Sequence, residues 1–336
     1  MTSVRLTSAV LAAFMFSTPA RGQQLPVSPP LAERYVDAAD GIGLDAAIAR
    51  ALDREPSLHA ARADIDVARG QRRQAALRPN PSLSLERREQ PSGPDHQSRV
   101  AVQWPLDLFR RGARVASADR QIDVSRFAAA DRERLLISDV RQQYGMAAVA
   151  IRDVRVADEL LTAFERQLEL VRARVAEGST PSLERDLLEV EVRRIDAERL
   201  LAAGRADVAL VQLKPLLGMP QDEPLRLRET IETLVAAGPA AAGVPPVTVP
   251  ATERPDVREA AARVDLAEAL VDQARREGRF DVGLFGMYMR MADGVPQQSF
   301  TNVSAGVMVM VPLFNRNQGQ VAAAHAELAG AEARRD

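Results

Sequence analysis

The chain has 336 residues, 4% aromatics, a single Trp and no Cys. Without cysteine, disulfide scaffolds, thiolate zinc sites, thiol nucleophiles and lipidation at a lipobox cysteine are excluded. Its 44 basic and 46 acidic residues leave a formal charge of -2, with none of the basic faces or tails of a nucleic-acid binder.

Residues 1–22 read as a secretory signal peptide. Arg5 supplies the positive start, Leu6 to Phe16 the apolar run, and Ala20-Arg21-Gly22 a small-x-small site cut after Gly22 or Ala20. The run is about 11 residues, where a membrane span needs roughly 20. No later segment is apolar for long enough to span as a helix, so the exported chain is expected to be soluble or inserted as strands. Residues 23–43 follow as an extended segment.

Helices are expected at 44–52 and 57–78, separated by Pro56 and closed by Pro79 and Pro81. Residues 82–86 and 99–104 alternate apolar and polar, the period of strands, and Gln90-Pro91-Ser92-Gly93-Pro94-Asp95 between them is a turn cluster. The dominant element is a helix over 114–176, inside a stretch from Leu106 to Thr180 without proline. Its apolar seam runs Leu136, Val140, Tyr144, Ala147, Ile151, Val154, Ala157, Leu161, Phe164, Leu168, Val171 and Val175. The mean spacing is about 3.5, that of a coiled coil.

Glu177-Gly178-Ser179-Thr180-Pro181 ends that helix. Gly178 serves as its cap, Thr180 as N-cap of the next helix and Pro181 as its first residue. The next helix covers 182–217, with Leu187, Leu188, Val192, Ile195 and Leu200 on its packed face. A helix over 114–176 is roughly 95 Å long, and helices over 57–78 and 182–217 laid end to end reach about 87 Å. One long helix can therefore lie beside two shorter coaxial ones. The proline-rich 219–254 reads as a connector or equatorial segment, with a short helix over 229–237. A helix over 256–277, strands over 281–291 and 304–311, and the start of a long helix over 319–336 complete the chain.

These elements form a repeat. At an offset of 199 residues Pro56 meets Pro255, Asp66 meets Asp265, Gln74 meets Gln273 and Leu85 meets Leu284. Past the hairpin loop the offset becomes 207, where Pro105 meets Pro312, Leu106 meets Leu313 and Gly112 meets Gly319. Helix–strand–strand–helix thus occurs twice, over 44–218 and 255–336. The second copy is incomplete and stops 17 residues after Gly319, as in a C-terminally truncated chain. Four strands cannot close a barrel, for which about eight is the practical minimum. Each hairpin has an apolar face, and three chains pooling their strands would make a barrel of twelve.

Gly43-Leu44-Asp45-Ala46-Ala47-Ile48-Ala49-Arg50-Ala51-Leu52, then Glu55-Pro56-Ser57-Leu58, resembles the opening of the TolC-like outer membrane factor family. Leu77-Arg78-Pro79-Asn80-Pro81 does likewise, and Val311-Pro312-Leu313-Phe314-Asn315-Arg316-Asn317-Gln318-Gly319 resembles that family's second-hairpin exit, particularly in the heavy-metal CzcC-like branch. The resemblance covers roughly residues 40–336. It implies a mainly α fold with membrane β: a homotrimer with a twelve-stranded outer-membrane barrel above a long periplasmic helical tube. It further implies a passive exit duct for metal cations or small toxic compounds. The partners would be a periplasmic adaptor (membrane fusion) protein, an inner-membrane efflux transporter of RND type and outer-membrane lipid. Nucleic acid, cofactor and enzymatic activity are not implied. Drugs or organic solvents are the alternative cargo, and a soluble periplasmic coiled-coil adaptor or scaffold is the alternative function. Many family members carry a lipidated Cys, which this sequence lacks, so an unlipidated outer-membrane protein is expected.

The resemblance assigns Glu177, Gly178, Ser179 and Thr180 to a tip contacted by adaptor hairpins; an ordinary capped turn would look the same. Trp104 and Tyr288 suit a membrane-interface belt, or simple packing. Alignment of the repeats turns Leu83, Leu85, Val282, Leu284, Val307, Val309 and Val311 toward lipid. It turns Met287, Met289, Met291, Met308 and Met310 toward the lumen. Thioethers are soft ligands for Cu(I) or Ag(I), though Met is equally an adaptable filler. His59, His96 and His325 share no ligand spacing.

Overall fold

The computed structural model describes residues 30–89, 91, 96–238, 250–292 and 299–336. The expected signal peptide, the start of the 23–43 segment and most of the hairpin turn cluster lie outside the described residues.

A 3-10 turn, Leu31–Arg34, leads into α1 (Leu44–Arg54) and α2 (Pro56–Ala76). The hairpin β1 (Ser82–Glu89) and β2 (His96–Pro105) precedes the long α3 (Arg111–Ala176) and α4 (Ser182–Leu216). After α5 (Ile231–Ala236) come α6 (Pro255–Glu277), β3 (Asp281–Ala292), β4 (Ser299–Met310) and α7 (Gln318–Arg335). Helix α3 alone is about 100 Å long.

Its partners follow from the ion pairs along it. Arg62–Glu133 and Arg72–Asp119 run α2 antiparallel to the first half of α3. Arg199–Asp158 and Arg172–Glu189 run α4 antiparallel to the second half. Helix α6 lies along another side of the first half, where Arg120 meets Asp265, Arg134 meets Asp256 and the Arg258 guanidinium sits over the Phe127 ring at 4.4 Å. Helix α7 packs back on α6 through Val264, Ala267 and Ala331, and through Val271, Ala274 and Ala324.

The main core forms where α2 and α4 meet beside the middle of α3. Leu136, Val140 and Tyr144 of α3 are fully buried there with Leu58, Leu213 and Leu217. Each such side chain contributes about 1.5–3 kcal/mol on leaving water. Around it runs an equatorial belt. Leu227 bridges to Val36 and Ile42, and the Glu229 carboxylate accepts from Leu44 N at 3.0 Å and from the Tyr144 hydroxyl. Burial first, then the Glu229 hydrogen bond, push the Tyr144 hydroxyl above its ordinary value of 10.0. Gly41 is required in this belt: a Cβ there would lie 2.3 Å from the Asp37 carbonyl and 2.7 Å from Leu227 backbone.

Several expectations are corrected. On α4 the Leu188, Val192 and Ile195 row faces α3, but Leu187 and Leu200 are exposed; small residues Ala202, Ala206 and Ala209 continue the packed row to Leu213. Alanine lets the helices approach closely, so the bulkiest residues do not mark that face. On α3 the inward position is taken by Asp158 rather than Ala157, because its carboxylate accepts from Ala32 N at 3.0 Å and pairs with Arg199. The strands outrun their apolar stretches, since backbone pairing continues through Arg87, Arg88 and Glu89 to His96 and Gln97. Likewise β4 begins at Ser299 rather than 304 and stops at Met310 rather than 311. Helix α3 begins three residues early at Arg111, and α7 one early at Gln318. Helices α2 and α6 each open on proline, whose absent N–H is no loss at the first helical position. Helix α2 ends at Ala76, two residues short, ahead of Pro79.

Glu55 caps α2. Its carboxylate accepts from Leu58 N at 2.8 Å and lies 3.7 Å from Arg132. Burial pushes its pKa up, but the bonds from Ser57 and Leu58 and the Arg132 charge outweigh it and hold the carboxyl below its ordinary 4.5. A depressed folded value stabilises above the unfolded pKa and is lost as pH falls through the folded value. Glu55→Gln is therefore expected to cost about 1 kcal/mol at neutral pH. The difference from the parent, followed as the unfolding midpoint against pH, should vanish once pH drops below the folded carboxyl's titration.

Candidate functional site

The strands form one four-stranded antiparallel sheet in the order β1-β2-β3-β4, so the two hairpins join through β2 and β3 within one chain. Register then fixes the faces, because directly paired residues share a side. Leu83 pairs with Val102, Leu85 with Val100, Val100 with Tyr288, Trp104 with Leu284 and Tyr288 with Val303. These make one apolar face, extended by Val282–Val309 and Leu284–Val307. The opposite face of the first hairpin is polar. Ser82 pairs with Gln103 and Glu86 with Arg99, the last also an ion pair at 3.2 Å.

Polarity alone does not settle the second hairpin, since both its faces carry apolar residues. The β2–β3 register does. Met289 stands opposite Arg99 and Met291 opposite Gln97, while Met287 stands opposite Ala101. Across β3–β4, Met308 stands opposite Gly283 and Met310 opposite Asp281. All five methionines therefore share the polar face with Glu86, Arg99 and Gln103. The Gln97 amide donates to the Met289 sulfur. Phe285 covers Gly306 from the facing strand, where a Cβ would come within 2.7 Å of its ring.

Trp104 and Tyr288 lie on the apolar face. The Trp104 indole N–H donates to the Pro79 carbonyl at 3.1 Å. Tyr288 stands two residues before Arg290, where the apolar band gives way to charge. The outer edge of β1 and the outer edge of β4 have no strand partner among the described residues.

At the far end of α3, Gly178 has φ 73°. Its N–H donates to the Val175 carbonyl and that of Ser179 to Arg174, both at 3.0 Å, a Schellman closure. The Ser179 hydroxyl also donates to Arg174 O at 2.9 Å. Thr180 is not the cap of α4. That helix begins at Ser182 with Pro181 at the cap position, ψ 144°, and no side-chain cap bond. Proline carries the extended-to-helix change itself, leaving Thr180 one residue outside. Glu177, Gly178 and Ser179 thus form a tight exposed turn with Thr180 beside it.

Among the described residues there is no cluster of three His, Cys, Asp or Glu able to hold a metal, and no helix is long and apolar enough to cross a membrane.

Residues 47–219, just over half of the chain, match the family described as Outer membrane efflux protein. The chain belongs to that family. Two curated relatives are the nickel and cobalt resistance protein CnrC of Cupriavidus metallidurans and the nickel-cobalt-cadmium resistance protein NccC of Alcaligenes xylosoxydans xylosoxydans. CnrC is 26% identical over 78% of this chain and 61% of its own length; NccC is 26% identical over 71% and 53%. The chain therefore spans between half and two thirds of these relatives. Among solved structures, CusC superposes with a TM-score of 0.68 at 19% identity, covering 87% of this chain and 71% of CusC. The fold of this outer membrane efflux protein is thus that of helical-tunnel and barrel channels, and its family is one of outer-membrane proteins.

The β2–β3 pairing within one chain was not reached from the sequence. At the tip, Gly178 is free of neighbours within 4 Å, so Gly178→Ala is strained by backbone conformation alone. Its expected cost is about 1–2 kcal/mol. Hydrogen exchange of the Gly178 and Ser179 amides should accelerate about tenfold while the α3 core near Tyr144 stays protected.

Proposed function

We propose that this chain is the outer-membrane exit duct subunit of a tripartite efflux pump, working as a homotrimer. The observation that carries this reading is the sheet: one apolar face, an opposite face that is polar over the first hairpin, and two edges with no strand partner among the described residues. A sheet edge cannot face hydrocarbon, where each unpaired N–H or C=O costs several kcal/mol. Pairing β4 of one copy with β1 of the next removes every edge, and three copies close twelve strands. The apolar face then meets lipid, and the polar face lines a water-filled path.

The helices support the same closure. Besides its row facing α3, α4 has a second row, Leu183, Leu187, Val190, Leu201, Val208 and Val211, all exposed. Helix α3 has one too: Met146, Val149, Val156, Leu160 and Leu170. Both keep the heptad spacing and lie about 200° around the helix from the packed rows. A helix pair with seams on both outer edges is a stave that needs neighbours on both sides, and a ring of staves is a tube.

Transport through such a duct is passive, driven by an inner-membrane transporter of RND type. A periplasmic adaptor (membrane fusion) protein would engage the tip at Glu177, Gly178, Ser179 and Thr180. Trp104 and Tyr288 would sit at the borders of the lipid band. The names of CnrC and NccC favour metal cations as cargo.

In cells the full chain should fractionate with outer membranes as a detergent-stable trimer, and its removal should sensitise the host to at least one of nickel, cobalt, copper and silver. Leu187→Glu with Leu201→Glu alters only side chains that are 63% and 67% exposed in the single chain. It should leave chain folding intact and abolish the trimer on native gels. A soluble wild-type monomer would reject the duct.

A further inference from the structure

Five of the nine methionines of the chain lie on one face of one hairpin. Over the first hairpin this face is polar, with Ser84, Glu86 and Arg99; over the second the methionines share it with Phe285 and Phe300. Met291, Met308 and Met310 are exposed in the single chain, and Met287 and Met289 half-buried. Read along β3 by register, the row has levels at Met310, Met308, Met287, Met289 and Met291, with Phe285 between the lower two and the upper three. The ten-residue span is about 33 Å along the strand, or about 25 Å once strands tilt as in membrane barrels, the height of the lipid band.

We infer that this row is a thioether path for soft monovalent cations, Cu(I) or Ag(I), through the barrel. The inference rests on the duct reading and names a cargo class for it. Same-face neighbours two residues apart stand about 6.7 Å apart at Cα, so two flexible, three-torsion methionines can close their sulfurs on one ion. Met287, Met289 and Met291 offer this twice in succession, and Met308 with Met310 once.

Charge selects among metals. The sulfurs are neutral, and Arg99, opposite Met289, is balanced by Glu86 rather than outweighed. Asp281, opposite Met310, is likewise paired with Arg110 at 3.6 Å. With no surplus carboxylate in the row, a divalent ion harder than Cu(I) or Ag(I), nickel included, gains little, whereas a soft monovalent ion gains thioether bonds. Two- or three-sulfur sites of this kind bind weakly and in series, as conduction requires. In a twelve-stranded barrel, between the filled interior of eight strands and the open pore of about sixteen, these side chains occupy much of the bore.

The test is equilibrium dialysis of the purified full chain in detergent against silver nitrate, with nickel chloride in parallel. Silver is expected to bind the wild type. Replacing Met287, Met289 and Met291 by Leu should weaken it about tenfold or more, and adding Met308→Leu and Met310→Leu should leave only the weak binding due to histidine and the methionines outside the row. Nickel binding should be the same in every variant. Leucine preserves volume, and retention of the wild-type far-ultraviolet spectrum and oligomer checks the fold. A five-fold leucine variant that binds silver as the wild type does, or a wild type that binds none, overturns the inference. Because the row lies within one chain, this readout is independent of the duct. Failure of the duct appears instead as a chain outside the outer membrane, whatever its affinity for silver.

Discussion

Lipid offers no hydrogen bonds, and this requirement shapes the whole molecule. The described residues make four strands, paired into one sheet, and the outer edges of β1 and β4 have no strand partner among them. On the apolar side Leu83, Leu85, Val303 and Val307 are largely exposed. In water such a surface invites aggregation; in lipid the open edges are costly. Closure with further copies, as proposed, would satisfy both and make the sheet of one chain a segment of a larger object. In the proposed barrel the helices would inherit that requirement, because α2, α3, α6 and α7 all adjoin the strands and would follow the same circle.

The helical part meets it through paired seams. Helix α3 packs α2 and α6 beside its first half and α4 beside its second, through rows spaced by four and three residues. The Ala-lined approach of α4 keeps these two helices close, and the exposed rows on their outer edges have the same period. Between tip and sheet, Glu229, Tyr144 and Leu44 tie the connector to the middle of α3. That belt fixes where the coaxial α2 and α4 end. It is built from short-range polar contacts around a fully buried Tyr.

Periodicity carried most of what the sequence disclosed. Steps near 3.5 exposed the α3 seam, and alternation exposed the middles of all four strands. Duplication at offsets of 199 and 207 turned the five methionines to one side, the side that the β2–β3 register also gives them. What stayed hidden was physical in origin. Leu187 and Leu200 outweigh Ala202 and Ala206 in hydrophobicity, yet close helix approach selects the alanines. Strand ends at Arg87–Glu89 and His96–Ser98 are held by backbone pairing, which side-chain polarity does not report. The joining of the hairpins is a contact between residues nearly two hundred positions apart, and nothing local encodes it. At the tip, Gly178 was readable because positive φ demands it, whereas the choice of Pro181 over Thr180 as cap depends on backbone angles that either residue permits.

The duplication also explains why the two hairpins can differ. Both must present an apolar face outward, which constrains Leu83, Leu85, Val282 and Leu284 alike. The inward face is free of that demand, provided that neighbouring strands keep register. The first copy places Ser84, Glu86 and Arg99 there; the second places Phe285, Met287 and Met289. With three-fold symmetry, the proposed barrel would alternate three charged and three thioether sectors around its bore. A passing cation would meet soft donors flanked by balanced ion pairs rather than a ring of uniform charge. Such a surface solvates without trapping, because no sector holds net opposite charge and each thioether contact is individually weak.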